Sequence, residues 1–267
     1  MAIKVEKPEP LPVDPMVRTL TEDKIDEDIA TYVRMLDQEA SESDVHDFLA
    51  KHSYFFNSIL RMYGVSPLYS KVRLGSQYEI DFAFFDTGSF GPEWHLVEIE
   101  APSKRMFTKT GDPTASLTHA IQQIRDWHDW VHENLDFARK LMPHIEYPLG
   151  YVFIGRRSHL IPDTMKKLRR LAHDHRMTTR IHTLDWFENA ARSVKDLVRA
   201  GNGGTWPVPM CAMSHADLAA GRPDMAWEWL NNPHAANNRD YYRQLLLSER
   251  KYFYLNLTEY SDRNTDD

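Results

Sequence analysis

Strands and helices alternate in the second half of the sequence, and this alternation restricts the fold more than any other feature. The nearly continuous apolar segment YPLGYVFIG predicts a strand that is buried on both faces. It is followed by a predicted helix, IPDTMKKLRRLAHDHR, a second strand, TTRIHTL, and a second helix, DWFENAARSVKDLV. Two strands joined through a helix pair in parallel by a right-handed crossover, so we expect a parallel pair in this region.

A hairpin is predicted upstream of these strands. The segment QYEIDFAFFD predicts a strand with Tyr78, Ile80, Phe82 and Phe84 on one face and Asp81 on the other. The glycine-rich segment TGSFGPE predicts a turn, and WHLVEIE the returning strand. A further strand is predicted just before, in LYSKVRLG.

Helices are predicted on both sides of the hairpin. One runs from Glu22 to about Leu36, and another begins near Ser41 or Ser43. The longest helical segment, DPTASLTHAIQQIRDWHDWVHENLDFARKLM, follows the hairpin. The complete order predicts an α/β fold in which a mixed sheet is flanked by helices. We divide the chain into an arm and helix (residues 1–40), a central domain (41–198) and a helical, aromatic extension (199–267).

Composition excludes several classes of protein. No apolar run approaches the roughly 20 residues that cross a bilayer, so no membrane partner is expected. A single cysteine, Cys211, cannot form an internal disulfide, and a reducing, cytoplasmic location is expected. The net charge of −7 argues against broad non-specific binding to nucleic acid, although it allows a local basic groove.

Two glutamates stand at the end of the hairpin in the segment VEIEAPSK. Glu98 and Glu100 are two residues apart, so their side chains leave the same face of the strand and repel each other. Asp81 lies near the start of the partner strand, and a closed hairpin brings it to the same end. Three carboxylates in one patch suit Mg²⁺ or Mn²⁺. The alternative is a strand end that emerges into water, where alternating acids are ordinary.

The order of these motifs resembles the PD-(D/E)XK nucleases, and more narrowly the nuclease domain of Shedu-type bacterial anti-phage defence proteins. A helix with a leading glutamate, here Glu42 in SESDVHDFLAKHSYFF, precedes the core in that family. YEIDFAFF matches the strand that bears the metal-binding Asp81, and LVEIEAP matches the strand whose Glu-x-Lys-x-Pro motif puts Glu98 at the second acid. The resemblance implies a restriction-endonuclease-like sheet and extends over roughly residues 40 to 195.

Later motifs extend the resemblance. HAIQQIRDW matches a helix with a Gln-x-x-x-Tyr motif, which gives Gln123 and, in the aromatic place, Trp127. GYVFIGRR matches a strand ending in Gly-Arg, here Gly155 and Arg156, and IHTLDWFENA matches the closing strand-to-helix turn near Asp185.

One position departs from the pattern, because Glu100 stands where the family has a lysine. The resemblance gives that lysine a role in positioning water and offsetting charge, which a glutamate cannot perform. Glu100 can instead serve as a third metal ligand or as a general base. Lys104, Lys109 or Arg125 could supply the missing cation from elsewhere.

Together, the residues and the resemblance predict a Mg²⁺- or Mn²⁺-dependent DNA endonuclease without a small-molecule cofactor. Asp81, Glu98 and Glu100 would bind metal, Gln123 would orient the site and Glu42 would complete it. DNA is the expected partner, and self-association is expected to gather the basic strips of this acidic chain into a channel. The predicted DNA-binding residues are Lys104, Lys109, Arg156 and Arg157. The alternative, favoured by the missing lysine, is a catalytically silent nuclease fold that binds nucleic acid or serves as an interaction scaffold.

Overall fold

A computed structural model describes residues 17–56, 68–88, 91–142, 145–175, 178–200, 206–209 and 212–216. The strands of this part of the chain are β1 Val17–Leu20, β2 Tyr69–Leu74, β3 Tyr78–Gly88, β4 Gly91–Ile99, β5 Leu149–Phe153, β6 Thr179–His182, β7 Trp206–Pro209 and β8 Met213–Ser214. The α-helices are α1 Glu22–Asp37, α2 Glu42–Lys51, α3 Ala115–Glu133, α4 Leu135–Leu141, α5 Pro162–His175 and α6 Asp185–Ala200.

The main sheet is mixed, as predicted. Its six strands follow the order β6-β5-β4-β3-β2-β8. Strands β2, β3 and β4 pair antiparallel, whereas β4, β5 and β6 pair in parallel through the crossover helices. The predicted hairpin and the predicted parallel pair are therefore both confirmed, and they share β4 at the centre of the sheet.

Each face of the sheet is covered by its own apolar core. One core combines Phe82, Val97 and Phe153 of the sheet with residues of α1, α2 and α6. The other core combines Leu96 and Val152 with the apolar stripe of α3. Because successive residues of β4 and β5 enter opposite cores, these central strands are buried on both faces, as the apolar segment predicted.

The predicted face of β3 was wrong at one point. Ile80 packs in the α3 core, whereas Phe82 and Phe84 pack in the opposite core. The regular alternation of side chains between the two faces of β3 is interrupted between Ile80 and Phe82. At this point Lys71, which lies opposite Asp81 on β2, has a left-handed backbone with φ of +52°. The side chain of Asp81, rather than its backbone, accepts the next hydrogen bond from β4.

Other helix boundaries were predicted in part. Ser41 caps α2 in a capping box with Asp44, as expected, but α2 ends at Lys51 and a 3₁₀ turn, Ser53–Phe56, follows it. The long helical segment divides at Asn134, whose side-chain amide donates to the carbonyl of Trp130 (2.9 Å). The predicted helices of the C-terminal extension lie outside the described residues.

A small second sheet was not predicted. β1 falls in the predicted arm and β7 in the predicted C-terminal extension, and the two pair antiparallel from Val17–Pro209 to Leu20–Trp206. Within the described residues, none of the helices combines the length and the apolar character that a membrane span requires.

The backbone at Gly155 fixes the loop that leaves the candidate site, which gives a test of the fold. Gly155 has φ of +62°, and a Cβ there would meet the backbone carbonyl of Lys104. We expect Gly155→Ala to lower the free energy of unfolding by about 2–4 kcal/mol, since it adds a backbone clash to left-handed strain.

Gly111→Ala is the matched control for this measurement. Gly111 also has positive φ, +83°, but its added Cβ would meet the flexible end of Lys167. We expect Gly111→Ala to lower the free energy of unfolding, measured by urea denaturation, only by the cost of the left-handed backbone, about 1–2 kcal/mol. Equal losses in the two variants would contradict the packing of Gly155 against the Lys104 carbonyl.

Candidate active site

The carboxylate of Asp81 ties three strands together at the end of the hairpin. One oxygen accepts a hydrogen bond from the backbone N–H of Ile99 on β4 (2.8 Å). The other accepts from the ammonium of Lys71 on β2 (2.7 Å). Asp81 is only 7% exposed, so both bonds are made in a largely desolvated place. The backbone pairing of β3 with β4 is therefore interrupted at this point, where the carboxylate of Asp81 lies between the strands.

The register of β2 and β3 explains why Lys71 reaches Asp81. Ser70 pairs with Phe82 and Val72 pairs with Ile80, which leaves Lys71 directly opposite Asp81. Sequence reasoning missed this lysine. The short turn at residues 75–77 would have revealed it, because a tight hairpin fixes the register of the residues that follow.

Glu98 and Glu100 lie beside Asp81 and are also 7% exposed. Glu98 is two residues after Leu96 and therefore faces the α3 side of the sheet. Burial, together with the charges of Asp81 and Glu100, raises the pKa of Glu98 to about 9. Burial and the neighbouring Glu42 raise the pKa of Glu100 as well. The structure thus brings the three predicted acids together, and it places them where shared negative charge is costly.

Glu42 adds a fourth carboxylate from the first turn of α2. Although it lies at the surface, desolvation and the charge of Asp81 raise its pKa. His46 follows one helical turn later and fixes α2 against β3. Its ring stacks on Phe82 with centroids 4.5 Å apart, and its Nε2 is 3.3 Å from the backbone carbonyl oxygen of Asp81. Sequence reasoning missed His46, although the four-residue spacing from Glu42 puts both on one helix face.

Helix α3 faces the site from the other side. His119 lies near Glu100, since its charge offsets part of the rise that burial and Glu42 cause in the pKa of that carboxyl. Gln123 is half-buried one turn later and shares this helix face, as its predicted role requires. Trp127, one further turn along, is buried in the α3 core.

The predicted DNA-binding cations occupy different surroundings. Lys104 is exposed, and its charge offsets part of the rise that burial causes in the pKa of Glu42 and of Glu100. Lys109 and Arg157 are exposed as well. Arg156 donates to Asp185 (3.0 Å) and to Asp37 (2.8 Å), so its guanidinium joins the end of β5 to α6 and α1. Arg125 lies near His175 on α5, whose pKa its charge lowers.

The donor chemistry of the site fits a hard divalent cation. Glu42, Asp81, Glu98 and Glu100 offer carboxylate oxygens, which are the ligands that Mg²⁺ and Mn²⁺ prefer. Within the described part of the chain, however, no three aspartate, glutamate, histidine or cysteine side chains are gathered at ligand spacing. The oxygens of Asp81 are instead directed to Lys71 and to the Ile99 N–H.

Comparison with known families gives one match. A family model described as "Shedu protein SduA, C-terminal" matches residues 39–187, more than half of the chain. The matched region begins just before α2 and ends in α6, so it contains all four carboxylates and five of the six strands of the main sheet, β2 to β6. No curated protein sequence matches the chain.

The raised pKa of Glu98 predicts how stability depends on pH. The ordinary pKa is 4.5, so between pH 4.5 and about 9 the folded protein keeps a proton that the unfolded chain releases. The free energy of unfolding therefore falls as the pH rises through this window, by at most about 1.4 kcal/mol per pH unit. Glu98→Gln removes this fall, so we expect its advantage over the parent protein to grow from pH 5 to pH 8.

Urea denaturation in the presence of a chelator measures this difference. Glu93→Gln is the matched control, since Glu93 is exposed on the same strand. Parallel pH profiles of the parent protein and Glu98→Gln would show that the Glu98 carboxyl titrates as it does in water.

Proposed function

The chain belongs to the Shedu family of bacterial anti-phage defence proteins, and from this premise we propose that its four-carboxylate site hydrolyses phosphodiester bonds in DNA with Mg²⁺ or Mn²⁺. The observation that carries the proposal is the convergence of Asp81 with Glu98 at one end of the hairpin. There, burial and mutual repulsion raise the pKa of Glu98 to about 9. Carboxylates held this close together repel one another when ionised, and a cationic ligand would relieve that repulsion.

Asp81 and Glu98 would hold the ion, and Glu100 would serve either as a third ligand or as the general base. A divalent ion, when bound, would offset the charge of the carboxylates and of the DNA phosphate and would lower the pKa of water. Glu42 and Gln123 would complete the site from the N-terminus of α2 and from α3.

Hydrolysis adds one water molecule across the phosphodiester bond. The water oxygen forms a new bond to phosphorus, the bond from phosphorus to one sugar oxygen breaks, and that oxygen gains a proton. Glu100 is the candidate base for the proton that water loses, because its raised pKa makes it a stronger base than an exposed glutamate. The exposed cations Lys104, Lys109 and Arg157 would contact the DNA backbone. Arg156 would act by holding the loop that carries Arg157.

A second candidate function is a silent fold that binds DNA or a protein partner without cutting. Two observations favour it. Glu100 replaces the lysine of the family pattern, and the ammonium of Lys71 already neutralises Asp81 at 2.7 Å. This candidate predicts neither metal binding nor metal-dependent cleavage.

Cleavage assays separate the two functions. We expect plasmid and linear DNA to be cut in the presence of Mg²⁺ or Mn²⁺ and left intact with a chelator. Asp81→Asn and Glu98→Gln should each lower the rate by about 100-fold or more, because each removes a metal ligand. Glu93→Gln, which lies near the start of β4 and is exposed, should cut like the parent protein. An inactive parent protein that binds no Mn²⁺ in calorimetry would favour the silent fold, and activity that survives both substitutions would disprove this site.

DNA binding gives an independent prediction. DNA binding is measured in the Asp81→Asn background, in which cleavage is expected to be slow. Adding Lys104→Met should weaken the affinity for DNA and lower the slope of log affinity against log salt concentration by about one unit, since one fewer counterion is released. Lys140→Met, which removes an exposed lysine from α4, is the control and should leave that slope unchanged. The same slope for both variants would show that Lys104 does not contact DNA.

Light scattering tests the proposed self-association, which a strict monomer would contradict.

A further inference from the structure

We propose that Lys71 supplies the catalytic cation that the family motif places at position 100, so that β2, rather than β4, carries the lysine of this site. The proposal rests on the proposed nuclease function and names one of its catalytic residues. It follows from three features of Lys71: its partner, its backbone conformation and the exposure of its ammonium.

The first feature is the partner. The ammonium of Lys71 is 2.7 Å from Asp81 and 3.8 Å from Glu79. Both partners are carboxylates, so these contacts fix the ammonium in place beside the acid that the resemblance assigns to metal.

The second feature is the backbone. Lys71 is one of two residues other than glycine with positive φ in the described part of the chain. A left-handed conformation is unfavourable for a side chain that has a Cβ, and it persists only where the surroundings impose it. Glycine would adopt it freely. The strain coincides with the interrupted pairing at Asp81, where it directs the lysine into the site.

The third feature is exposure. The Lys71 side chain is 47% exposed, whereas that of Asp81 is 10% exposed. An ammonium has three donors, and in the described residues one of them is used, in the hydrogen bond to Asp81. Because nearly half of the side chain is exposed, a DNA phosphate could approach the ammonium from solvent. A fixed ammonium there offsets the charge that develops on the phosphate oxygens during hydrolysis.

The other predicted sources of this cation are less suited to it. Lys104 acts on Glu42 and Glu100 through its charge, but it forms no ion pair with them within 4.0 Å in the described residues. Arg125 lies near His175 instead. Lys71 is thus the lysine that is both close to the acids and fixed in place.

Substitution of Lys71 tests the proposal. We expect Lys71→Met to lower kcat for metal-dependent DNA cleavage by about 100-fold, with KM for DNA and Mn²⁺ affinity changed less than about threefold. Lys71→Arg, which keeps a positive charge at this position, should retain at least about tenfold more of the parent kcat than Lys71→Met. Arg73→Met is the matched control, because Arg73 lies on the same strand and pairs with the same Glu79 (3.5 Å). It should change kcat less than about twofold.

Lys71→Gly keeps the test valid if Lys71→Met fails to fold. It removes the same ammonium, and glycine relieves the left-handed strain, so thermal unfolding should show a folded protein with the same loss of kcat.

Each contrary result has a distinct meaning. Full cleavage by both Lys71 variants, beside an active parent protein, would overturn the role of Lys71 and leave the nuclease function standing. Tighter Mn²⁺ binding with unchanged cleavage would also overturn it, by showing that Lys71 only occupies the place of the metal. An inactive parent protein would overturn the proposed function and this inference together.

Discussion

The hydrogen bonds of one carboxylate organise the candidate site and the sheet around it. Asp81 accepts from the Ile99 N–H of β4 and from the ammonium of Lys71 on β2, and it lies between the two strands. The side chain of Asp81 replaces its backbone as the acceptor of the Ile99 N–H, and the alternation of side chains along β3 is interrupted there. Ile80 and Phe82 therefore enter opposite cores. A buried carboxylate without such partners would cost several kcal/mol. The same bonds that stabilise the strand end therefore hold the acid where chemistry can use it.

Charge balance is the second constraint on this site. Four carboxylates share it, and Lys71, Lys104 and His119 act on them from β2, the loop after β4 and α3. The four carboxylates outnumber the two lysine ammoniums around them. The excess is relieved either by protons, as the raised pKa of Glu98 implies, or by a divalent cation. Protonation is compatible with the fold, whereas the proposed function requires the divalent cation.

The sequence predicted the parts of the structure that arise from strong local patterns. Apolar alternation and glycine-rich turns predicted the hairpin, which brings Asp81 to the end that carries Glu98 and Glu100. The short strands β1 and β7 were missed because four residues carry little periodic signal, and their partners lie almost the whole described chain apart. The left-handed backbone of Lys71 was missed because propensity predicts the opposite for a lysine. Tertiary contacts impose it, and such departures tend to occur at functional sites.

The central claim is that the acids at the hairpin end bind a divalent cation beside Lys71. Anomalous diffraction from crystals soaked in Mn²⁺ measures this most directly. We predict one strong peak among the carboxylates of Asp81, Glu98 and Glu100, with the Lys71 ammonium still beside Asp81. No peak at this position at saturating Mn²⁺, with the Lys71–Asp81 hydrogen bond still in place, would contradict it.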